Sequence, residues 1–254
     1  MIDPALCSRV EDAGLNASAP PEQRWMDGWL LRFSPGKAKR ARCINAVADG
    51  RLPLADRLER ALAAYRETGL PPILRVTPFT QPRELPEHLL ALGWRRFDDT
   101  RVMVQDAWAP LNGRDAWPAA PVEVDTEAFA EAAGTLRGSP PGQRQAHARR
   151  LQAAPVPARR AVVERDGLLL ACGQAVFEGD VVGLYDIVVA QDARGQGIGG
   201  ALCRWLLDQA AGQGARVAYL QVEADNAPAR ALYARLGFAD AYAYHYLTPD
   251  PDVA

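Results

Sequence analysis

One stretch constrains the chain more than any other. RGQGIGG, residues 194–200, lies between an apolar run that ends in Ile187, Val188 and Val189 and the helix-patterned ALCRWLLDQAA. Strand, glycine loop and helix must therefore follow one another here. Four glycines in seven residues let the backbone approach a ligand and turn its amides inward. The helix adds unpaired N–H groups and the positive end of its dipole. The loop is suited to an anion, most naturally a pyrophosphate.

Around this unit the 254 residues read as alternating helices and strands, long enough for two domains. Residues 4–14 suggest a short helix. Residues 29–34 and 42–47 suggest strands joined by PGKAKRA, a turn that reads as a solvated hairpin tip in preference to a phosphate-binding one. Leu54, Leu58, Ala61, Leu62 and Tyr65 share one face of a helix that Gly69 ends. A strand, a short helix near LPEHLLALG and the strand WRRFDDTRVMVQ follow. DAWAPLNGRDAWPAAP, residues 106–121, has no periodicity and reads as a linker.

Beyond it come a short strand, two helices and three strands. Gly179 and Asp180 mark a hairpin between the last two of these. After the glycine loop, Ile198, Ala201, Leu202, Trp205 and Leu206 form an apolar helical stripe. A strand, a helix with Asn226 as N-cap and Gly237 past its end, and a last strand complete the chain. Tyr244 and His245 on that last strand are expected at a sheet edge, with a place lining a substrate cleft as the other reading. Gly69, Val76 and Gly93-Trp94 recur as Gly214, Val222 and Gly237-Phe238 at nearly constant offset, which points to an internal duplication. The first copy has no counterpart of RGQGIGG.

Several classes are excluded by composition. A net charge of −2, with 29 basic and 31 acidic residues, gives no bias toward nucleic acid or an anionic membrane. No run approaches the ~18 apolar residues of a membrane span, and the amino terminus lacks a secretory pattern. Cys7, Cys43, Cys172 and Cys203 form no C-x-x-C pair. They read as thiols of a reducing compartment, so a cytoplasmic location is expected, with no metal site.

Gly195, Gly197 and Gly200 also satisfy G-x-G-x-x-G, and Glu223 lies where a ribose-binding acid would be wanted. A dinucleotide-binding oxidoreductase is therefore one reading. Against it, AQDAR separates Val189 from Gly195, and too few elements follow for a doubly wound sheet. A purely structural glycine turn is another reading, opposed by the backbone entropy such a turn loses.

From Tyr185 to Tyr246 the chain resembles the GNAT superfamily of N-acetyltransferases. The resemblance rests on Arg194, Gly197 and Gly199 in Arg-x-x-Gly-x-Gly, on Asn226 in NAPARALY and on LYARLGF at 232–238. The order of elements from Val122 fits as well. The resemblance and the repeat together imply an α/β (α+β) protein of two tandem GNAT-like domains, each a mixed, mostly antiparallel sheet flanked by helices. Residues 1–105 would be a degenerate copy without the cofactor loop, 106–121 the linker and 122–254 the acetyl-CoA-binding domain.

Carried over by position, the resemblance implies that Arg194, Gly195, Gln196, Gly197, Ile198, Gly199 and Gly200 hold the pyrophosphate of acetyl-CoA. Ile187, Val188 and Val189 would pair with the pantetheine arm, and Asn226 would bind nearby. Tyr233 would protonate the departing thiolate, and a phenol of pKa ~10 suits that task. Some relatives place a Glu where Gln221 stands. Glu223, two residues on and on the same face, is one candidate base. Asp186 is the other, because a carboxylate in an apolar strand must be used or paired; either can equally be a satisfied structural acid, with water relaying the proton and no dedicated base. The implied acceptor is an amine on a small molecule or peptide. The chain would be a monomer of pseudo-dimeric halves or a homodimer. An acyl-CoA-binding module without catalysis is the alternative.

Overall fold

The computed structural model describes residues 2–106 and 119–253, so most of the expected linker lies outside the described residues. The first half runs α1 (Pro4–Ala17), β1 (Glu22–Met26), β2 (Trp29–Phe33), β3 (Ile44–Ala46), α2 (Leu54–Thr68), β4 (Leu74–Val76), α3 (Leu85–Ala91) and β5 (Arg95–Gln105). The second begins with β6 (Pro121–Glu123), α4 (Thr126–Leu136), α5 (Pro141–Gln152), β7 (Ala158–Arg165) and β8 (Leu168–Glu178). It continues with β9 (Val181–Val189), α6 (Ile198–Gly212), β10 (Val217–Glu223), α7 (Ala227–Arg235) and β11 (Ala239–Thr248).

The local signals explain most of these boundaries. Asp125 caps α4 and Asn226 caps α7, each through a side-chain oxygen accepting a backbone N–H. Gly69 and Gly214, both left-handed, stop α2 and follow α6 at matching points of the repeat. One strand was not expected from the sequence. β1 is exposed along most of its length, so it carries no apolar alternation to reveal it.

All strands join one sheet in the order β1-β2-β3-β4-β11-β5-β10-β9-β8-β7-β6. Among the described residues only the β3–β4 and β9–β10 ladders are parallel. β5, from the first half, lies between β10 and β11, and β11, from the second, lies between β4 and β5. Each half thus lends its last strand to the other. β11 is not the edge strand that the sequence suggests but a central one, and Tyr244 on it is buried.

Helices cover both faces. Trp29, Leu31, Ile44 and Leu74 pack under α2 and α3, and on the same side Leu184 and Leu220 pack against Leu202 and Leu206 of α6. α1 covers the middle of the opposite face, and α4 and α5 sit beside it over β7 to β9. α1 ties the halves together: Glu11 pairs with Arg75 of β4 and accepts a hydrogen bond from the Tyr242 hydroxyl of β11 at 2.7 Å.

Candidate active site

β9 and β10 run side by side only while residues 181–184 face 217–220, and beyond Leu184 and Leu220 they part. On the β8 side the ladder shifts register between Cys172 and Gln174. The extra residue belongs to β9, where Asp186 takes a left-handed conformation with φ of +53°. Such a bulge exchanges the faces of the residues after it. Leu184 packs under α6, and after the bulge it is Ile187 and Val189 that do so, while Val188 turns toward α4. Gly173 stands opposite; a Cβ there would lie 2.6 Å from Ile187 Cδ1.

Two cavities open at this fork. The first, about 590 Å³, lies over the glycine loop and is lined by Ile187, Val188, Val189, Arg194, Gly195 and the start of α6. Gly195 and Gly197 have φ of +76° and +79°, values that a side chain would disfavour. Gly197 caps α6 without any side-chain hydrogen bond, and no acidic residue occupies the first turn. The amides there are left for an external acceptor. Gly200 is needed for another reason, since a Cβ would come within 3.1 Å of Leu232 on α7. Arg194 is exposed and its Nε lies 3.4 Å from the carbonyl of Val189. Gln196 turns back to Asp192, and Ile198 is buried as the anchor of the helix.

The second cavity, about 530 Å³, lies in the fork itself, between β9, β10, β11 and the β2–β3 loop. Ile187, Val188, Asn226, Ala229 and Tyr233 line both cavities. Tyr233 is buried, its ring meets Phe238 edge-on at 6.2 Å, and its hydroxyl makes no hydrogen bond with the described residues. Burial, with Cys203 nearby, pushes its pKa above that of a free phenol, so it stays protonated at neutral pH. Glu223 ends β10 with an exposed carboxylate at the wall of the fork. Asn226 Oδ1 is engaged by the amide of Ala229 at 3.2 Å.

Asp186 is differently occupied. Arg137 Nη2 lies 2.6 Å from Oδ1, while Gln174 Nε2 and His147 Nε2 lie 2.8 and 3.3 Å from Oδ2. Burial alone would raise its pKa. The His147 contact and the charges of Arg137 and Arg150 outweigh burial and hold it well below the usual carboxylate range. Gln221 is also held in place: its Oε1 accepts hydrogen bonds from Arg40 Nη1 at 2.7 Å and from the Tyr244 hydroxyl at 2.9 Å. Arg40 is a residue that sequence reasoning did not place here, and Tyr244 lines the fork rather than a sheet edge. Burial opposes ionisation of Tyr244, but Arg40 and Arg75 bring its pKa below the normal phenol value.

A dinucleotide fold holds its glycine loop at the end of an extended parallel sheet. Here a short 3-10 turn, Gln191–Ala193, intervenes, and antiparallel strands follow β10. The bulged strand, the forked parallel pair and the glycine loop behind the fork all lie within the stretch that a GNAT acetyltransferase domain matches.

Residues 124–238 match the model of the Acetyltransferase (GNAT) family. The chain is 27% identical over 233 residues to an uncharacterized N-acetyltransferase, YobR, of Bacillus subtilis (strain 168), covering 88% of this chain and 91% of that protein. It is similar in fold to a GCN5-related N-acetyltransferase from Kribbella flavida, with a TM-score of 0.71, 18% identity and coverage of 96% and 95% of the two chains. It also resembles a tandem GNAT protein from the clavulanic acid biosynthesis pathway, with a TM-score of 0.63, 19% identity and coverage of 78% of this chain and 70% of that one.

Proposed function

We propose that the protein transfers the acetyl group of acetyl-CoA to a primary amine by direct attack in a ternary complex. The observation that carries this reading is the wall common to the two cavities. A ligand anchored at the glycine loop presents its far end to the fork. The residues fit CoA: the amides of Gly195 to Gly200 and Arg194 would hold the pyrophosphate. The β9 edge at Ile187, Val188 and Val189 faces no strand on the β10 side and would pair with the pantetheine arm. The amide side chain of Asn226 would touch the same arm.

Bound there, acetyl-CoA supplies an acyl carbon activated as a thioester. The amine nitrogen bonds to that carbon and the carbon–sulfur bond breaks. Glu223 accepts the proton that the amine loses, and the Tyr233 hydroxyl donates one to the departing sulfur. A backbone amide of the β9 edge steadies the carbonyl oxygen. We assign Asp186 to positioning, since its cationic partners leave it a weak base. Residues 122–254 form the catalytic half in this reading, and 1–105 a degenerate companion that walls the acceptor cavity. The four buried, unpaired cysteines suit a reducing cytoplasm; among the described residues no helix is long and apolar enough to cross a membrane.

The test is thiol release from acetyl-CoA with a panel of amines. Tyr233→Phe and Glu223→Gln should each lower kcat by roughly a hundredfold, the scale of one proton-transfer group, with CoA affinity retained by calorimetry. A protein that binds CoA yet releases no thiol with any amine would instead be a binding module. Binding of NAD but not CoA would restore the dinucleotide reading.

A further inference from the structure

Behind Asp186 lies a third cavity of about 310 Å³, enclosed by the β2–β3 loop, α4 and α5. It shares Lys37, Ala38, Arg40, Arg137 and Asp186 with the acceptor cavity, so the two form one continuous space on the side of β9 away from the glycine loop. Its lining is cationic on every side. Lys37 and Arg40 come from the loop, Arg137 from the end of α4, and Arg150 from α5, against the single carboxylate of Asp186.

The charges do not balance. Asp186 is taken by Arg137 and His147. Arg144, also in the lining, is neutralised by Glu131, and Lys39 at the mouth by Asp98. Among the described residues no carboxylate lies within ion-pair distance of Lys37, Arg40 or Arg150. Arg40 is held by neutral oxygens, those of Gln221 and Tyr244. Arg150 has no hydrogen bond to the described residues. Burial lowers its pKa, Asp186 opposes this, and Arg40 and Arg137 reinforce it. A half-buried guanidinium with no partner carboxylate, set beside Arg40 and Arg137, gains from an anion that joins it.

We propose that this cavity is an anion subsite of the acceptor pocket, and that the acceptor is a small amine carrying a carboxylate or phosphate group. Arg150 binds the anion, with Lys37 closing over it from the loop. Arginine's planar fork suits either group. The amine then extends past Asp186 into the fork beside Ile187 and Glu223. A neutral amine would leave these cations unpaired, so the site selects by charge. The amine end of this inference rests on the acetyl-transfer reading; the anion end does not.

The experiment compares matched acceptors in the thiol-release assay: an amino acid against its methyl ester, and phosphoethanolamine against ethanolamine. The carboxylate and phosphate arms identify which anion the site takes. Wild-type protein should prefer the anionic member of at least one pair. Arg150→Gln should raise KM for that acceptor roughly ten- to a hundredfold, leaving its kcat, the KM of the neutral partner and the CoA affinity within about twofold. Lys37→Ala, at an exposed loop position that folding does not need, should shift the same KM in the same direction. Equal effects on charged and neutral acceptors, or preference for the neutral member of both pairs, would overturn the proposal. If no amine is turned over, the transfer reading has failed, and inorganic phosphate then decides on the anion site. Phosphate should raise the Tm of wild type more than that of Arg150→Gln, because the glycine loop contributes equally to both. Identical shifts would refute it.

Discussion

Asp186 holds a backbone angle of +53° inside an otherwise extended strand, a conformation that Asp tolerates better than most residues but does not favour. Its side chain explains why it stays there: Arg137, His147 and Gln174 converge on it from α4, α5 and β8. Asp186→Asn should therefore destabilise the fold by about 2–3 kcal/mol at pH 7, less than a fully buried pair because Arg137 is partly exposed. The folded pKa lies below the unfolded one, so this contribution is complete above about pH 4. It disappears as pH falls through the folded value, and urea melts of both proteins should converge in acid. A kcat loss as large as that of Glu223→Gln with unchanged stability would make Asp186 the base instead. In the sequence Asp186 stands out only as a carboxylate among apolar neighbours. Its partners lie 49 and 39 positions earlier on two helices, and no spacing rule links them. For the same reason Lys37 and Arg40 read as a solvated tip, because only the tertiary fold brings that loop over the fork.

At the level of elements, the site depends on the bulge in β9 and on the space left for it. The helices and most strands were legible because their apolar periods and glycine stops are local signals. The bulge was not, since DIVVA reads as uninterrupted strand. Its signature is Gly173 on the neighbouring β8, where a Cβ would meet Ile187 at 2.6 Å, Leu202 at 3.1 Å and Leu206 at 3.2 Å. Gly173→Ala must move Ile187, which lines both the cavity over the glycine loop and the fork. We expect a loss of about 1–3 kcal/mol from overpacking. KM for acetyl-CoA should rise about fivefold, equivalent to ~1 kcal/mol of binding, with KM for the amine less affected. Unchanged KM for acetyl-CoA in a folded variant would mean that the bulge does not set the groove. The glycines of the loop divide similarly by local need: Gly195 and Gly197 supply positive φ, while Gly199 and Gly200 let α6 approach Val189 and Leu232.

At the scale of the molecule, a duplicated sequence does not make two independent folding units here. The repeat was visible as landmarks at constant offset, but nothing in either copy says which strand pairs across the boundary. The halves exchange β5 and β11, so both ladders of β11 are made with strands of residues 1–105. Both neighbours of β5 lie in the second half. Cut between the halves, each fragment would expose a last strand with no partner and leave another strand as a bare edge. α1 adds a second bond between them, through Glu11 with Arg75 and Tyr242, and through Arg9 with Asp180. Residues 106–254 alone should therefore lack a cooperative thermal transition as a monomer, and so should residues 1–105. Mixing them should restore near-native ellipticity and a sharp melt, since the break falls between elements rather than within one. Circular dichroism and sizing of each fragment and of the mixture would check this. A monomeric 106–254 that melts cooperatively near the Tm of the intact chain would show that the exchange is dispensable, and would also free the fork cavity of its Lys37 and Arg40 wall.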